Sequence, residues 1–317
     1  MRYFTSLALV GAAVAQNVSV CDKYTTALLK ENNATNQYTL LTLLVNTVVI
    51  GNYTQPNMNA VPGILAKGKY MDKEVNLLPY FDGTLLSSNR GGESGVSINF
   101  LDDGGAVPLM NNMPANGTKS EQYFLLTHLY QFFGKLLGCS TYGTDGFPKY
   151  SGHSMASAHA FMDLDPSEIG YFITQVGLAA TSFGVTTEDV TAVAAALNKL
   201  FGYRCSPPAV VIPEMNSTLN SICQNEECPL DAMATCAAYP KSGVVAEPKT
   251  ANMSMTMSSN MSMASTAMSS ATGTAAMSGT MSPSATTTGV LMSTGAAGSV
   301  GAGIGAVVGA LALGLAL

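Results

Sequence analysis

The sequence predicts an all-α domain that is interrupted by one long insertion. Two observations favour helices: long segments lack glycine and proline, and apolar residues recur every three to four positions. A third observation limits the helical region, because Gly, Pro and Asn divide residues 54–118 into short apolar pieces. We therefore expect helices on both sides of an insertion that is mostly loop, with short strands forming a hairpin.

Two helices are expected before the insertion, at residues 22–31 and 38–50. Neither range contains Gly or Pro. Residues 37–50 are mostly apolar, which fits either a buried helix or a strand. The length of this segment favours the buried helix, whereas its β-branched residues favour the strand.

Four more helices are expected after the insertion, and each has a start signal. Their expected ranges are 121–137, 154–162, 166–183 and 187–201. Ser120 can cap the first of them, which Gly138 ends. Asp165 can cap the third, and Pro166 suits the first helical position. We interpret the nearby carboxylates of Asp163, Asp165 and Glu168 as helix-start residues.

The N-terminus has the pattern of a secretory signal peptide over residues 1–16. Arg2 supplies a positive charge, residues 7–14 form an apolar run, and Ala13-Val14-Ala15 is a small-x-small cleavage sequence. The apolar run is too short to span a bilayer as a helix. We therefore expect a secreted chain.

The C-terminus has the pattern of a GPI-attachment propeptide over residues 296–317. No charged residue follows Lys249, and the small residues Ser293 and Gly295 are candidate attachment positions. A transmembrane helix is the alternative, but the tail is short, Gly-rich and without a basic flank. The expected location is the extracellular face of the plasma membrane or the cell wall. Its expected partners are the membrane, through the anchor, and cell-wall glycans.

Residues 245–295 have the composition of a disordered, O-glycosylated stalk. They consist mainly of Ser, Thr, Ala, Gly and Met and cannot bury enough apolar surface to fold. The stalk contains nine of the eighteen methionines, in runs such as Met253-Ser-Met255. Thioether sulfur suits Cu(I), and these runs resemble the methionine motifs of extracellular copper-transporter tails. Copper binding and low-complexity drift are the two interpretations.

Cysteines, sequons and charge agree with an extracellular location. The sequence has six cysteines after the signal peptide: Cys21, Cys139, Cys205, Cys223, Cys228 and Cys236. They predict three disulfides of unknown pairing. A zinc site is the alternative, and the absence of a close Cys-x-x-Cys pair disfavours it. Seven Asn-x-Ser/Thr sequons are candidates for N-glycosylation: Asn17, Asn33, Asn52, Asn116, Asn216, Asn252 and Asn260. The net charge of −6 and the lack of a basic cluster argue against a nucleic-acid partner.

Two segments carry a resemblance to a known family. One contains His128, Phe132, Phe133 and a Leu137-Gly138 ending, and the other reads Tyr150-x-Gly152-x-x-Met155-x-x-Ala158-His159. With the helices that follow, residues 122–205 resemble the truncated haemoglobins, compact globins in which a short segment presents the proximal histidine. The resemblance implies a globin-like domain over residues 17–240, with a Cys-rich C-terminal segment and a bound haem (heme). The whole combination is typical of fungal cell-surface proteins.

The resemblance also assigns roles to particular residues. His159 would be the proximal iron ligand, and His128 would be a second axial ligand, because neutral imidazole is the usual protein ligand of haem iron. The other pocket residues would be Phe132, Phe133, Tyr150 and Met155. Bis-histidyl iron would favour redox sensing, electron transfer or haem capture. A small gaseous or redox ligand would then bind only after His128 leaves.

The chain departs from the family at several places, and two of these departures concern the haem pocket. The family carries a Phe-Tyr pair on its second helix, and the matching position is Leu44-Val45, which removes the usual hydrogen-bond donor to bound oxygen. The insertion at 54–118 is foreign to the minimal globin and would cover or fill the haem pocket.

Other interpretations of the histidines stay open. His159 and His128 would be ordinary helix residues in a wall or adhesion protein that kept the scaffold without a cofactor, or they would share a zinc or copper ion. His153 falls in a loop, where solvation is expected. No Ser-His-Asp arrangement or phosphate-binding loop occurs, so we predict no catalytic residue and favour a binding protein over an enzyme.

Overall fold

The structure is a computed structural model that describes residues 18–251. Within that range it contains seven α-helices and one two-stranded sheet, which confirms the prediction of a helix-rich fold. The predicted signal peptide, the Met-rich part of the stalk and the GPI propeptide lie outside the described residues. The same holds for Asn17, Asn252, Asn260, Ser293 and Gly295. None of the described helices is long and apolar enough to cross a membrane.

The helices begin and end close to the expected positions. Their bounds are α1 Val20–Leu29, α2 Ala34–Ile50, α3 Ala106–Met110, α4 Glu121–Leu136, α5 Met155–Ala158, α6 Pro166–Ser182 and α7 Thr187–Phe201. The ambiguous segment 37–50 is helical, as its length indicated. Two differences stand out: α3 lies inside the insertion and was not predicted, and α5 ends four residues before the expected Met162.

Side-chain caps explain why the later helices begin where they do. The Ser120 hydroxyl accepts a hydrogen bond from the Tyr123 N–H, so it caps α4 as predicted. The Asp165 carboxylate accepts from the N–H groups of Ser167 and Glu168 at the start of α6. The Glu168 carboxylate in turn accepts from the Asp165 N–H at 3.0 Å, which completes a capping box.

Helix pairs form the framework of the described body. α2 packs on α1 and α4, α6 packs on α7, and α2 also packs on α6. A polar group is built into this core, where the Tyr130 hydroxyl donates to Asn46 Oδ1 at 2.6 Å. Asn46 Nδ2 donates in turn to the backbone carbonyl of Leu109, which is completely buried. This contact ties the unpredicted α3 to α2, because a buried amide must find hydrogen-bond partners.

The insertion packs against the helices. Its hairpin consists of antiparallel strands β1 (Gly68–Tyr70) and β2 (Lys73–Val75), and both strands contact α6. Further along the chain, Leu86 N–H donates to the carbonyl of Lys249, and Ala251 N–H donates to the carbonyl of Thr84. The described body therefore continues past residue 245, where the stalk was expected to start.

Three disulfides join the six cysteines, all of which lie in the described range. The pairs are Cys21–Cys139, Cys205–Cys236 and Cys223–Cys228. The prediction of three disulfides is confirmed, and no described cysteine is left with a free thiol for zinc. The first pair joins α1 to the end of α4 and closes the longest of the three loops, with a sequence separation of 118.

The four described sequons differ in accessibility. Three of their asparagines are exposed: Asn33, Asn116 and Asn216. Asn52 is half-buried, its Nδ2 donates to Ser182 Oγ at 3.1 Å, and its Oδ1 accepts from the Val61 N–H. Asn52 is the least accessible of the four, so the structure favours the three exposed positions.

Candidate ligand-binding cavity

A cavity of about 540 Å³ lies between the helices and the insertion. Residues of α4, α5, α6, the end of α7 and the insertion line it, and most of its lining is apolar. Pockets that bind small molecules and cofactors occupy about 300–1,000 Å³ and combine apolar walls with a few polar groups. The cavity therefore has the size and character of a cofactor or ligand site.

His159 lies immediately after α5 and lines the cavity. Its Nδ1 lies 2.8 Å from the carbonyl oxygen of Met155. A carbonyl can only accept, so Nδ1 carries the proton and Nε2 keeps its lone pair. Burial lowers the pKa of His159 below 6.5, against the opposing effect of the Met155 carbonyl. The ring is therefore neutral at pH 7, in the tautomer that metal-binding histidines adopt when their second nitrogen is held by the protein.

Two local contacts hold α5 in place. The Ser154 hydroxyl accepts from the Ser157 N–H at 3.3 Å and caps the single turn. Ala156, which is 2% exposed, donates its N–H to the carbonyl of Leu219 in the Cys-rich segment. Because the helix is so short, these contacts determine where His159 stands.

His128 projects into the same cavity from α4. Its ring packs edge-on against Tyr150, with 5.6 Å between the ring centroids. Burial lowers the pKa of His128, and the positive charges of Arg90 and His153 lower it further. This imidazole is therefore also neutral at pH 7 and able to offer a lone pair.

Aromatic rings form the rigid part of the lining. Phe132 stacks on Phe201 with centroids 6.2 Å apart and packs edge-on against Tyr150. The Tyr150 hydroxyl donates to the carbonyl of His153 at 2.7 Å, so it holds the loop before α5. Phe133 contacts Phe172 of α6, with centroids 6.5 Å apart. The ring network thus joins α4, α6, α7 and the histidine-bearing loop.

The structure brings the sequence-predicted cofactor residues together around one cavity. His159, His128, Phe132, Phe133, Tyr150 and Met155 all line it. His153, which was expected to be only solvated, is exposed and also lines the cavity at its edge. The predicted cofactor residues are up to 31 positions apart in the sequence, and the fold brings them to the same cavity.

The insertion supplies one wall of the cavity and leaves its space open. Its lining residues include Ile64, Leu77, Tyr80, Phe81, Arg90 and Phe100. Sequence reasoning missed these positions because loop residues follow no periodicity. Leu44 and Val45, at the position that matches the family's Phe-Tyr pair, do not line the cavity. Tyr80 of the insertion does line it and contributes a phenol hydroxyl.

Glu168 is the acidic group of the lining. Burial raises its pKa to about 7, although hydrogen bonds from the Asp165 backbone and the Tyr80 hydroxyl oppose the rise. Burial also raises the pKa of Tyr80, and the Glu168 charge adds to that rise. The helix-start role predicted for Glu168 is confirmed by the capping box, and the cavity adds a second environment to the same carboxylate.

Neither metal-ligand geometry nor similarity to known proteins assigns a function to this chain. In residues 18–251, no group of three or more His, Cys, Asp or Glu side chains is arranged to hold a metal ion. No protein-family model, curated protein or solved structure matches the chain. The cavity and the residues that line it therefore remain the guide to function.

Proposed function

We propose that this chain is a cell-surface haem-binding protein with a globin-like domain. In this proposal His159 is the proximal iron ligand and His128 is the second axial ligand. The observation that carries the proposal is the Nδ1 contact of His159 with the Met155 carbonyl at 2.8 Å, which leaves Nε2 as the lone-pair donor in an apolar cavity. Haem iron needs only one or two protein ligands, because the porphyrin supplies the others.

The chemistry of the lining fits this cofactor. A porphyrin is largely apolar and aromatic, and the rings of Phe132, Phe133 and Tyr150 offer it apolar faces and edges. Each of these three side chains is less than 8% exposed, so this wall of the cavity is part of the packed core. Bound haem would supply reversible one-electron redox chemistry. The protein would hold the iron, keep both imidazoles neutral and separate the cofactor from solvent.

The helix arrangement is compatible with a globin-like fold. Globins pack their helices pairwise around the haem pocket. Here α2 pairs with α4, α6 pairs with α7, and α4, α6 and α7 contribute to the cavity wall. The one-turn helix α5 delivers His159, as the resemblance to truncated haemoglobins implies.

The proposed location is the extracellular face of the membrane or the cell wall. Disulfides form and persist mainly in oxidising compartments, and three are present. The processing patterns at both ends and the three exposed sequons support the same location. A haem with two histidine ligands at that surface would serve redox sensing, electron transfer or haem capture, because direct gas binding requires His128 to leave.

A hemin titration of the purified chain tests the proposal. The wild type should take up one equivalent of hemin and give a Soret band with low-spin visible bands. His159→Ala should lose the band or shift it strongly, and His128→Ala should produce a five-coordinate spectrum. His153→Ala is the matched control, since it removes an exposed imidazole at the edge of the same cavity and should leave the spectrum unchanged.

Two results would contradict the proposal. A chain that gives no Soret band with hemin would be a scaffold without cofactor, as in a wall or adhesion protein. A spectrum that survives His159→Ala unchanged would remove His159 from the iron.

A further inference from the structure

The polar residues of the insertion meet the cavity at one place. Ser87, Ser88, Asn89 and Arg90 are consecutive and all line it. Ser88 caps a short 3-10 helix, Asn89–Gly91, by accepting from the Arg90 N–H at 3.3 Å. The turn is therefore an ordered structure that places one arginine at an otherwise mostly apolar cavity.

Arg90 lines the cavity together with the imidazoles of His128 and His153. His153 is exposed and the Arg90 side chain is 46% exposed, which locates these two side chains at the mouth of the cavity. The mouth thus offers a guanidinium group, while the interior is lined by aromatic and aliphatic side chains.

The guanidinium of Arg90 has N–H donors that its ion pair with Glu121 does not use. Its Nη2 pairs with a carboxylate oxygen of Glu121, the first residue of α4. Within the described residues, the hydrogen bonds of this side chain do not involve Nε or Nη1. An arginine presents five N–H donors in a planar fork that suits carboxylates. Glu121 therefore orients Arg90 and leaves part of its fork for an anionic group of a ligand.

We infer that Arg90, on its Ser87–Asn89 turn, is a carboxylate-recognition site that makes the cavity selective for porphyrins with free acid groups. The inference rests on the proposed haem function and deepens it, because it assigns the insertion a specificity role. An amphipathic ligand would place its apolar body among the rings and its carboxylate at the mouth. There Arg90 would donate charge-assisted hydrogen bonds to that carboxylate.

Binding of metal-free porphyrins measures this selectivity without iron ligation. The probes are protoporphyrin IX and its dimethyl ester, followed by porphyrin fluorescence with the full chain. Arg90→Gln should weaken binding of the free acid by about tenfold, as expected for losing a charge-assisted hydrogen bond worth about 1.4 kcal/mol. The same substitution should leave the affinity for the dimethyl ester unchanged, and Arg90→Lys should restore part of the loss.

Two further variants sharpen the experiment. Glu121→Gln keeps an oxygen that can accept from Arg90 Nη2 and so orient it, but removes the negative charge that competes with the ligand. It should therefore tighten free-acid binding by about twofold to threefold, in line with exposed ion pairs. Lys69→Gln is the matched control, because it removes one exposed positive charge from the same insertion outside the cavity lining and should change neither affinity.

Each outcome separates the inference from the proposed function. Equal binding of the free acid by Arg90→Gln and wild type, or an equal loss for acid and ester, would overturn the inference even if hemin still gives its Soret band. Arg90-dependent binding of the free acid would support it, even if His159→Ala left the hemin spectrum unchanged. Binding of a long-chain fatty acid in place of any porphyrin would overturn porphyrin selectivity together with the haem proposal.

Discussion

The stability of the protein should fall with rising pH in a way that depends on Glu168. This carboxylate lines the cavity beside Tyr80, and burial raises its pKa to about 7 from the ordinary 4.5. The perturbation that isolates it is Glu168→Gln. Glutamine keeps a carbonyl oxygen able to accept from the Asp165 N–H, so the capping box at the start of α6 keeps its geometry.

The sign follows from the direction of the shift. Below pH 4.5 the carboxyl group is protonated in both states. Between pH 4.5 and 7 the unfolded chain loses the proton while the folded chain retains it, so the free energy of unfolding falls. Above pH 7 both states are ionised and the penalty is constant. The full rise in pKa, from 4.5 to about 7, corresponds to about 3.5 kcal/mol at about 1.4 kcal/mol per unit of pKa. Because the side chain keeps partial contact with water, we expect about 1–2 kcal/mol.

The assay is denaturant unfolding of wild type and variant at pH 5, 6, 7 and 8. The difference between variant and wild type should be smallest at pH 5 and should grow to about 1–2 kcal/mol in favour of the variant at pH 8. In thermal scans the same difference raises the melting temperature of a body of this size by about 2–4 °C for each kcal/mol. Glu188→Gln, at an exposed position in the first turn of α7, is the control and should shift neither curve.

Parallel pH profiles for wild type and Glu168→Gln would refute this reasoning. A variant less stable at every pH would also refute it, because it would show that the ionised carboxylate contributes favourably to the fold.

Three further predictions concern the fold. Replacing Cys21 and Cys139 by serine opens the disulfide between α1 and the end of α4 and should cost about 2–5 kcal/mol in denaturant unfolding; no loss would show that packing alone holds α1. Gly134→Ala would place a β-carbon in steric conflict with the Phe147 ring. It should cost about 1–3 kcal/mol, measured as a lower melting temperature, and an unchanged value would mean that the ring moves freely. Asp189→Asn removes the charged partner of Lys23, 2.7 Å away, and should cost about 1–3 kcal/mol at pH 7; a cost that persists unchanged at pH 2 would argue against a charge effect.

Local signals made most helices predictable. The caps at Ser120 and Asp165 act on N–H groups two or three residues away, so a short stretch of sequence contains the whole interaction. By contrast, α3 includes Pro108 and has only five residues. It depends on the burial of Leu109 and on a hydrogen bond from Asn46, which is 63 positions earlier. Such a helix has no local signal strong enough to predict.

Some features of the candidate site were likewise predictable from the sequence, and others were not. The residue pattern alone selected His128 and His159, because each lies in a segment whose spacing resembles a haem-binding family. It also predicted that six cysteines form three disulfides, but it left fifteen possible pairings open. The wall contributed by Tyr80 and Arg90, and the cavity that stays open beneath it, depend on contacts between distant segments. A helix start depends on atoms a few residues apart in the chain, whereas a cavity depends on how whole elements pack, and only the tertiary structure contains that information.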